Sequence, residues 1–462
     1  MTDLFSMDLN LASPEELFEM GEDFYLGEKV QRDIKKALEL WQLAADKGHI
    51  LSKIRLSKAY LDGEFISQNI LLSFNFLLDV ARANQPEAQF FLAETYRTGK
   101  PYGEKNAALA IEWYTKAADQ GLVIAQLNLA SLYSSGDEVE KNLAQAAKYW
   151  RLAADQGVSQ AQFNVGIAYY TGQGVDNDLV QAIKYLLLAA ESGHPYAQFK
   201  MGSAYFIGEG VEIDLEKAVR FWRLAADQNI AQAQLCLALA YFNGDALEKD
   251  LNQAGKYWFM AAEQGHPLAQ LAIGKAYYEG EIFDQSFTKA VEYWRLAADQ
   301  GNSEAQLSLG VAYLKGQGVK PDMDQAIKYW RLSAQQGHPE AQFNLGLSYF
   351  NGHGLDKDID QAIDYWKLAS DQGHVGAQMN LGLVYHKGIE IEKDLAQAIK
   401  YFLMADESNV PEARFSLGWI YENGEGVEKD LIKALHYYQL SADQGFAPAK
   451  EKLLTLKAKI TH

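Results

Sequence analysis

One string of nine residues, Tyr-Trp-Arg-Leu-Ala-Ala-Asp-Gln-Gly, occurs twice, at 149–157 and again at 293–301. The copies stand 144 residues apart, which is four times 36. Stepping by 36 gives Trp150, Leu186, Trp222, Trp258, Trp294, Trp330, Trp366, Phe402 and Tyr438, and stepping backwards gives Tyr114, Leu77 and Trp41. The step from Leu77 to Tyr114 is 37, which places one extra residue near Lys100–Lys105. Twelve units therefore cover residues 14–445 of the 462. A fixed period of this length confines the chain to a repeat architecture, in which one supersecondary unit stacks on copies of itself.

Each unit reads as two helices, A then B. Seven residues after the Trp position stand only Gly or Asn, from Gly48 and Asn84 to Asn409 and Gly445, the types that tolerate the left-handed turn ending a helix. Eight residues before it stand only Asp, Asn or Ser, from Asp33 to Asp430, all able to cap a helix N-terminus. These signals bound helix B at about fifteen residues, and Asp358 with Gln361 or Asp394 with Gln397 match a capping box. Helix A lies between successive B helices. Ala341, Leu345 and Tyr349 recur there at spacing four, and Gly352 ends it. The first unit opens Ser13-Pro14-Glu15-Glu16, a cap followed by a first-turn proline. Small residues recur where helices should touch: four before the Trp position is Ala or Ser73, and eleven after it is Ala or Ser52. The fold expected is all-α, an α-solenoid of twenty-four or more helices, with residues 1–13 as a tail and 446–462 as a terminal capping helix.

Composition removes several function classes. Sixty-one Asp and Glu against 42 Lys and Arg give a net charge of −19, which argues against nucleic acid and favours a partner with a basic surface. A single cysteine, Cys236, rules out an internal disulfide and a cysteine metal cage. The acidic start, Met1-Thr2-Asp3-Leu4, does not fit a signal peptide, and no stretch approaches a membrane span of ~20 apolar residues. A cytoplasmic protein is expected, with signal-independent export left open.

The pattern resembles that of the Sel-one-like repeat family, relatives of the tetratricopeptide repeats. One unit carries it as Ala341-Gln342, Leu345-Gly346, Tyr349, Gly352, Ala362, Trp366 and Gly373-His374. The resemblance implies a right-handed superhelix whose inner face, lined by helix A, holds protein or peptide partners. It implies an adaptor or scaffold, as bacterial members are in signalling, envelope assembly, host interaction and toxin neutralisation. One cysteine excludes the disulfide-clipped secreted branch, and the lack of a signal and a span sets the chain apart from the membrane-anchored eukaryotic members.

Candidate chemistry gives way to structural readings. His49, His194, His266, His338 and His374 each follow the Gly that ends helix B, a repeat or more apart, too far to share a metal, and read as loop residues near a helix C-terminus. Loops such as Gly172-Gln173-Gly174-Val175 join two helices rather than a strand and a helix, so they are turns and not phosphate cradles. Cys236, between Leu235 and Leu237, reads as packing. No catalytic constellation, metal site or cofactor is indicated.

The binding candidates lie on helix A, at ten, fourteen, seventeen and twenty residues after the Trp position. These positions vary between units and share one helical face. The fourteen position holds Asn128, Asn164, Lys200, Asn344 and Asn380, and an Asn there could hold a partner's backbone amides, as related tetratricopeptide grooves do. The twenty position holds Tyr170, Phe206, Phe242, Tyr278, Leu314 and Phe350, an apolar stripe that could equally pack on the next repeat. Lys58 and Lys275 occupy the seventeen position, and Trp419 lies near the C-terminal end. The function expected is a non-enzymatic interaction scaffold. The alternatives are an immunity or inhibitor protein against a secreted toxin, an exported effector acting on host proteins, and, in a different class, a hydrolase with its site in the groove. Within the nine-residue string, Arg, Asp and Gln are expected to face solvent.

Overall fold

The computed structural model describes residue 9, residues 11–63 and residues 65–461, without the side chains of 460 and 461. Much of the expected N-terminal tail thus lies outside the described residues. Among the described residues there are twenty-five α-helices and no strand. Helices A and B of each repeat are 13 residues long, except Ile359–Ser370 at 12, so helix B is about two residues shorter than its sequence signals suggest. A final helix, Ala447–Thr461, packs on the last helix B, Leu431–Asp443, and buries Leu453 and Leu456 there.

The chain divides into two compact units, Met1–Gln228 and Asn229–His462. Each holds six repeats. Within a unit, helix A packs antiparallel to its own helix B and then against its neighbours, as an α-solenoid requires.

The boundary signals act as their chemistry dictates. All twelve residues of the Asp, Asn and Ser series are N-caps of helix B, each accepting a bond from the second or third N–H of the helix. The box expected at Asp358 forms in that direction only: the Asp358 N–H instead donates to the Tyr349 carbonyl at 3.0 Å. A box closed both ways forms at Ser13 and Glu16.

The core is built from contacts of fixed register. The small residues four before and eleven after the Trp position are at most 5% exposed. Within a repeat, the Tyr of helix A stacks on the ring just before the Trp position of helix B, as in Tyr349–Tyr365, with ring centroids 5.8–6.2 Å apart along the chain. The Trp itself lies over a helix-A glycine: a Cβ on Gly346 would stand 2.4 Å from the Trp366 ring. In the A–B turns, a Cβ on Gly174 would meet the Leu143 carbonyl oxygen of the preceding repeat at 2.2 Å. That second glycine lets adjacent repeats close, which confirms the turn reading of these loops.

A polar ladder runs through the same interfaces. Helix A carries a buried Gln twelve residues after the Trp position, and its amide donates to a carbonyl at the end of the preceding helix B, as Gln126 does to Ala118 at 3.0 Å. Its oxygen accepts from the Gln that closes its own helix B, in seven pairs from Gln120–Gln89 to Gln372–Gln342, at 2.7–2.9 Å. Gln156 and Gln300 of the nine-residue string are rungs of this ladder, and Asp155 accepts from the Tyr185 hydroxyl at 3.3 Å. These residues are exposed, as expected, and Asp155, Gln156 and Gln300 are in addition bonded across helices.

Candidate partner-binding face

The face of helix A that varies between repeats lies beside these invariant contacts, and most of it is half-buried. At the fourteen position Asn128 donates to Glu94 of the preceding repeat at 2.9 Å, and Asn164 accepts from Gln160 at 3.1 Å. Lys200 is exposed, with its ammonium 5.6 Å from the Tyr170 ring centroid. Asn344 and Asn380 are half-buried, and their side-chain amides make no hydrogen bond among the described residues.

The aromatic stripe has two faces. One face packs on the Trp of the same repeat, with ring centroids 5.1–5.4 Å apart for Phe206–Trp222, Phe242–Trp258, Tyr278–Trp294 and Phe350–Trp366. The hydroxyls of Tyr170 and Tyr278 reach the A–B loop of the next repeat, at Glu209 (2.8 Å) and Gln317 (3.0 Å). These rings remain half-buried, and Leu314 in the same series is exposed. Trp419 stands edge-on to His386, 5.3 Å between centroids. Of the seventeen-position lysines, Lys275 pairs with Glu304 at 3.1 Å.

The histidines lie in the links between helices, as expected, and each is also the N-cap of a helix A. The Nδ1 of His194 accepts from the Ala197 N–H at 3.2 Å and that of His374 from Ala377 at 3.1 Å. The other ring nitrogen reaches the preceding helix A, at Gln160, Glu304 and Glu340 for His194, His338 and His374. Burial holds His194 and His266 below the usual imidazole range, which favours the neutral, bond-accepting ring. Burial also pushes the Cys236 thiol up to about 11, away from nucleophilic use.

Sequence reasoning passed over one exposed feature. Two residues after the Trp position, Leu296, Leu332 and Leu368 of consecutive B helices are 38–51% exposed. The signal was present as a Leu in eight of the twelve units, with Met260 and Met404 in two more, but an apolar residue that recurs so often reads as core. Among the described residues no group of three His, Cys, Asp or Glu side chains could hold a metal ion, and no helix is long and apolar enough to cross a membrane.

Comparison with known proteins places this geometry among relatives. The family model described as the Sel1 repeat matches twelve times, from residues 17–49 to 411–446. A crystal structure of a protective antigen present in uropathogenic Escherichia coli strains and displaying an SLR fold is 31% identical. The match covers 91% of this chain and 90% of that one, with a TM-score of 0.77. A Sel1 repeat protein from Oxalobacter formigenes is 27% identical, with 72% of this chain and 94% of that one covered and a TM-score of 0.53. The chitin synthase regulator SKT5 of Saccharomyces cerevisiae is 32% identical over 131 residues, 28% of this chain and 19% of that protein. The chain thus spans about a fifth of the length of this curated relative.

Proposed function

The chain belongs to the Sel1 repeat family, and from that premise we propose that it is a non-catalytic scaffold that holds a segment of another protein along its helix-A faces. The observation that carries this is the pair of free amides, Asn344 and Asn380, at one position of consecutive repeats, beside the half-exposed Phe350. An Asn offers a donor and an acceptor together, which suits the backbone of an extended peptide. Asn128, Asn164, Lys200, Tyr170, Phe206, Phe242, Tyr278 and Trp419 complete the face in their repeats, the first two only by exchanging their present bonds. The net charge of −19 favours a segment with basic residues. The regulator name of the yeast relative supports a role exerted through another protein, for the part of that relative the chain matches.

Affinity purification with mass spectrometry, wild type against Asn344→Ala/Asn380→Ala/Phe350→Ala, tests the reading. The triple variant should lose a specific partner while keeping its helical content. A partner list unchanged by the three substitutions would sink the assignment of the face.

A further inference from the structure

The period is broken in one place, and that place holds a pocket. In the second repeat the Trp position is Leu77 and the helix-A residue beneath it is Ser57, where seven repeats pair a Trp with Gly, as in Gly346 and Trp366, or with Ala, as in Ala130 and Trp150, and the fifth sets its Leu186 over Gly166. Trp41, Trp222, Trp258, Trp294, Trp330 and Trp366 are at most 5% exposed and Leu186 is 3% exposed, whereas Leu77, like Trp150, is half-buried. A Leu beside a Ser leaves unfilled the volume that an indole takes elsewhere. The 37-residue step supplies the other wall. The extra residue lets the A–B loop of the third repeat fold Pro101 and Tyr102 back, where the Tyr102 hydroxyl meets Ser73 Oγ at 2.7 Å and its ring lies 5.2 Å from Phe74.

The result is a cavity of about 450 Å³ walled by Ile54, Leu61, Leu77, Val80, Phe91 and Tyr102. An engineered apolar cavity of roughly 150 Å³ accepts benzene, so this one has room for a ring and a short tail. Ile54 and Phe91 are 45% and 60% exposed, so an occupant would cover apolar surface that now meets water.

The rim carries charge of one bias. Glu94 is already held by Arg97 at 2.8 Å, by Asn128 at 2.9 Å and by the Tyr114 hydroxyl. Lys58, Lys100 and Glu87 are exposed at the rim and make no ion pair among the described residues. Lys275 and Glu304, at the places equivalent to Lys58 and Glu87, do pair, at 3.1 Å. Two free ammonium groups against one free carboxylate is a cationic rim on a chain of net charge −19.

We propose that this cavity is a ligand site for a small amphipathic organic acid, its apolar body in the pocket and its carboxylate at Lys58 and Lys100. The site lies in repeats two and three, apart from Asn344, Asn380 and Phe350, and does not depend on the scaffold reading.

Titration calorimetry of the full chain tests it with three probes: 4-phenylbutyrate, the uncharged 4-phenylbutanol, and butyrate. Phenylbutyrate should bind, butyrate should not, and the alcohol should bind up to about 5-fold more weakly, the reach of an exposed charge pair. The variant Ser57→Ala/Leu77→Trp restores the Ala–Trp pairing of other repeats and should abolish binding of both phenyl probes with its thermal midpoint kept or raised. Lys58→Ala/Lys100→Ala should erase the preference for the acid while the alcohol still binds. No heat from either phenyl probe with wild type would overturn the proposal, as would unaltered binding by the refilled variant or an acid preference that survives loss of both lysines.

Discussion

A methyl group at Gly346 would stand 2.4 Å from Cδ1 of Trp366, a side chain 1% exposed and held on all sides. Gly346→Ala should therefore lower stability by about 1–2 kcal/mol, overpacking winning over the better helix propensity of Ala, as thermal melting would measure. The glutamine ladder makes a second, oppositely signed case. Gln162 and Gln378 have buried side-chain oxygens without a partner, and in both repeats the residue that should donate is Ser, at 192 and 408. Ser192→Gln or Ser408→Gln should each supply that donor and raise stability by about 0.5–1.5 kcal/mol, seen as an upward shift of the melting midpoint. None of this pairing was legible in the sequence. The two glutamines of a rung stand 30 residues apart on different helices, and periodicity marks a position as invariant without saying which polar group it meets. The glycine beneath the Trp was visible as a repeated residue; its reason, an indole in contact, needed the third dimension.

Element boundaries were the most legible part, because caps act through bonds two or three residues away. The Asp, Asn and Ser series and the Gly and Asn series fell where those short-range rules put them. The start of helix A was harder to see. Its cap position holds His, Asn and Gln but also Leu122, Val158 and Ile230, so composition there gave no single signal. A capping His makes the element sensitive to pH. The His194 ring, packed between Phe163 and the helix end, is held below its ordinary value of 6.5 by burial. The unfolded chain therefore takes up the proton first, so the contribution is complete above about 6.5 and is lost as pH falls towards the lower folded value. Melting midpoints between pH 7.5 and 5 should fall more steeply for wild type than for His194→Asn. That variant keeps an acceptor, as Asn302 does at the same position for Ala305 at 2.8 Å, and has nothing to titrate.

At the scale of the molecule, solenoid stability is a sum of repeat and interface terms, so the face left to vary is free to serve binding. The sequence located that face by where repeats disagree. It could not tell Asn344, whose amide is free, from Asn128, which is bonded to Glu94, because the partner lies one repeat away. It also placed all function on helix A, although helix B exposes the leucines 296, 332 and 368. The strong negative charge predicts that partner affinity falls as salt rises from about 50 to 200 mM, since exposed charges are increasingly screened over that range. Hydroxyl-radical footprinting of the chain with and without its captured partner separates the two faces in one measurement. A scaffold that binds along helix A protects Phe206, Phe242, Tyr278, Leu314 and Phe350 and leaves Leu296, Leu332 and Leu368 as reactive as before. Protection of those three leucines with the aromatic stripe unchanged would contradict it.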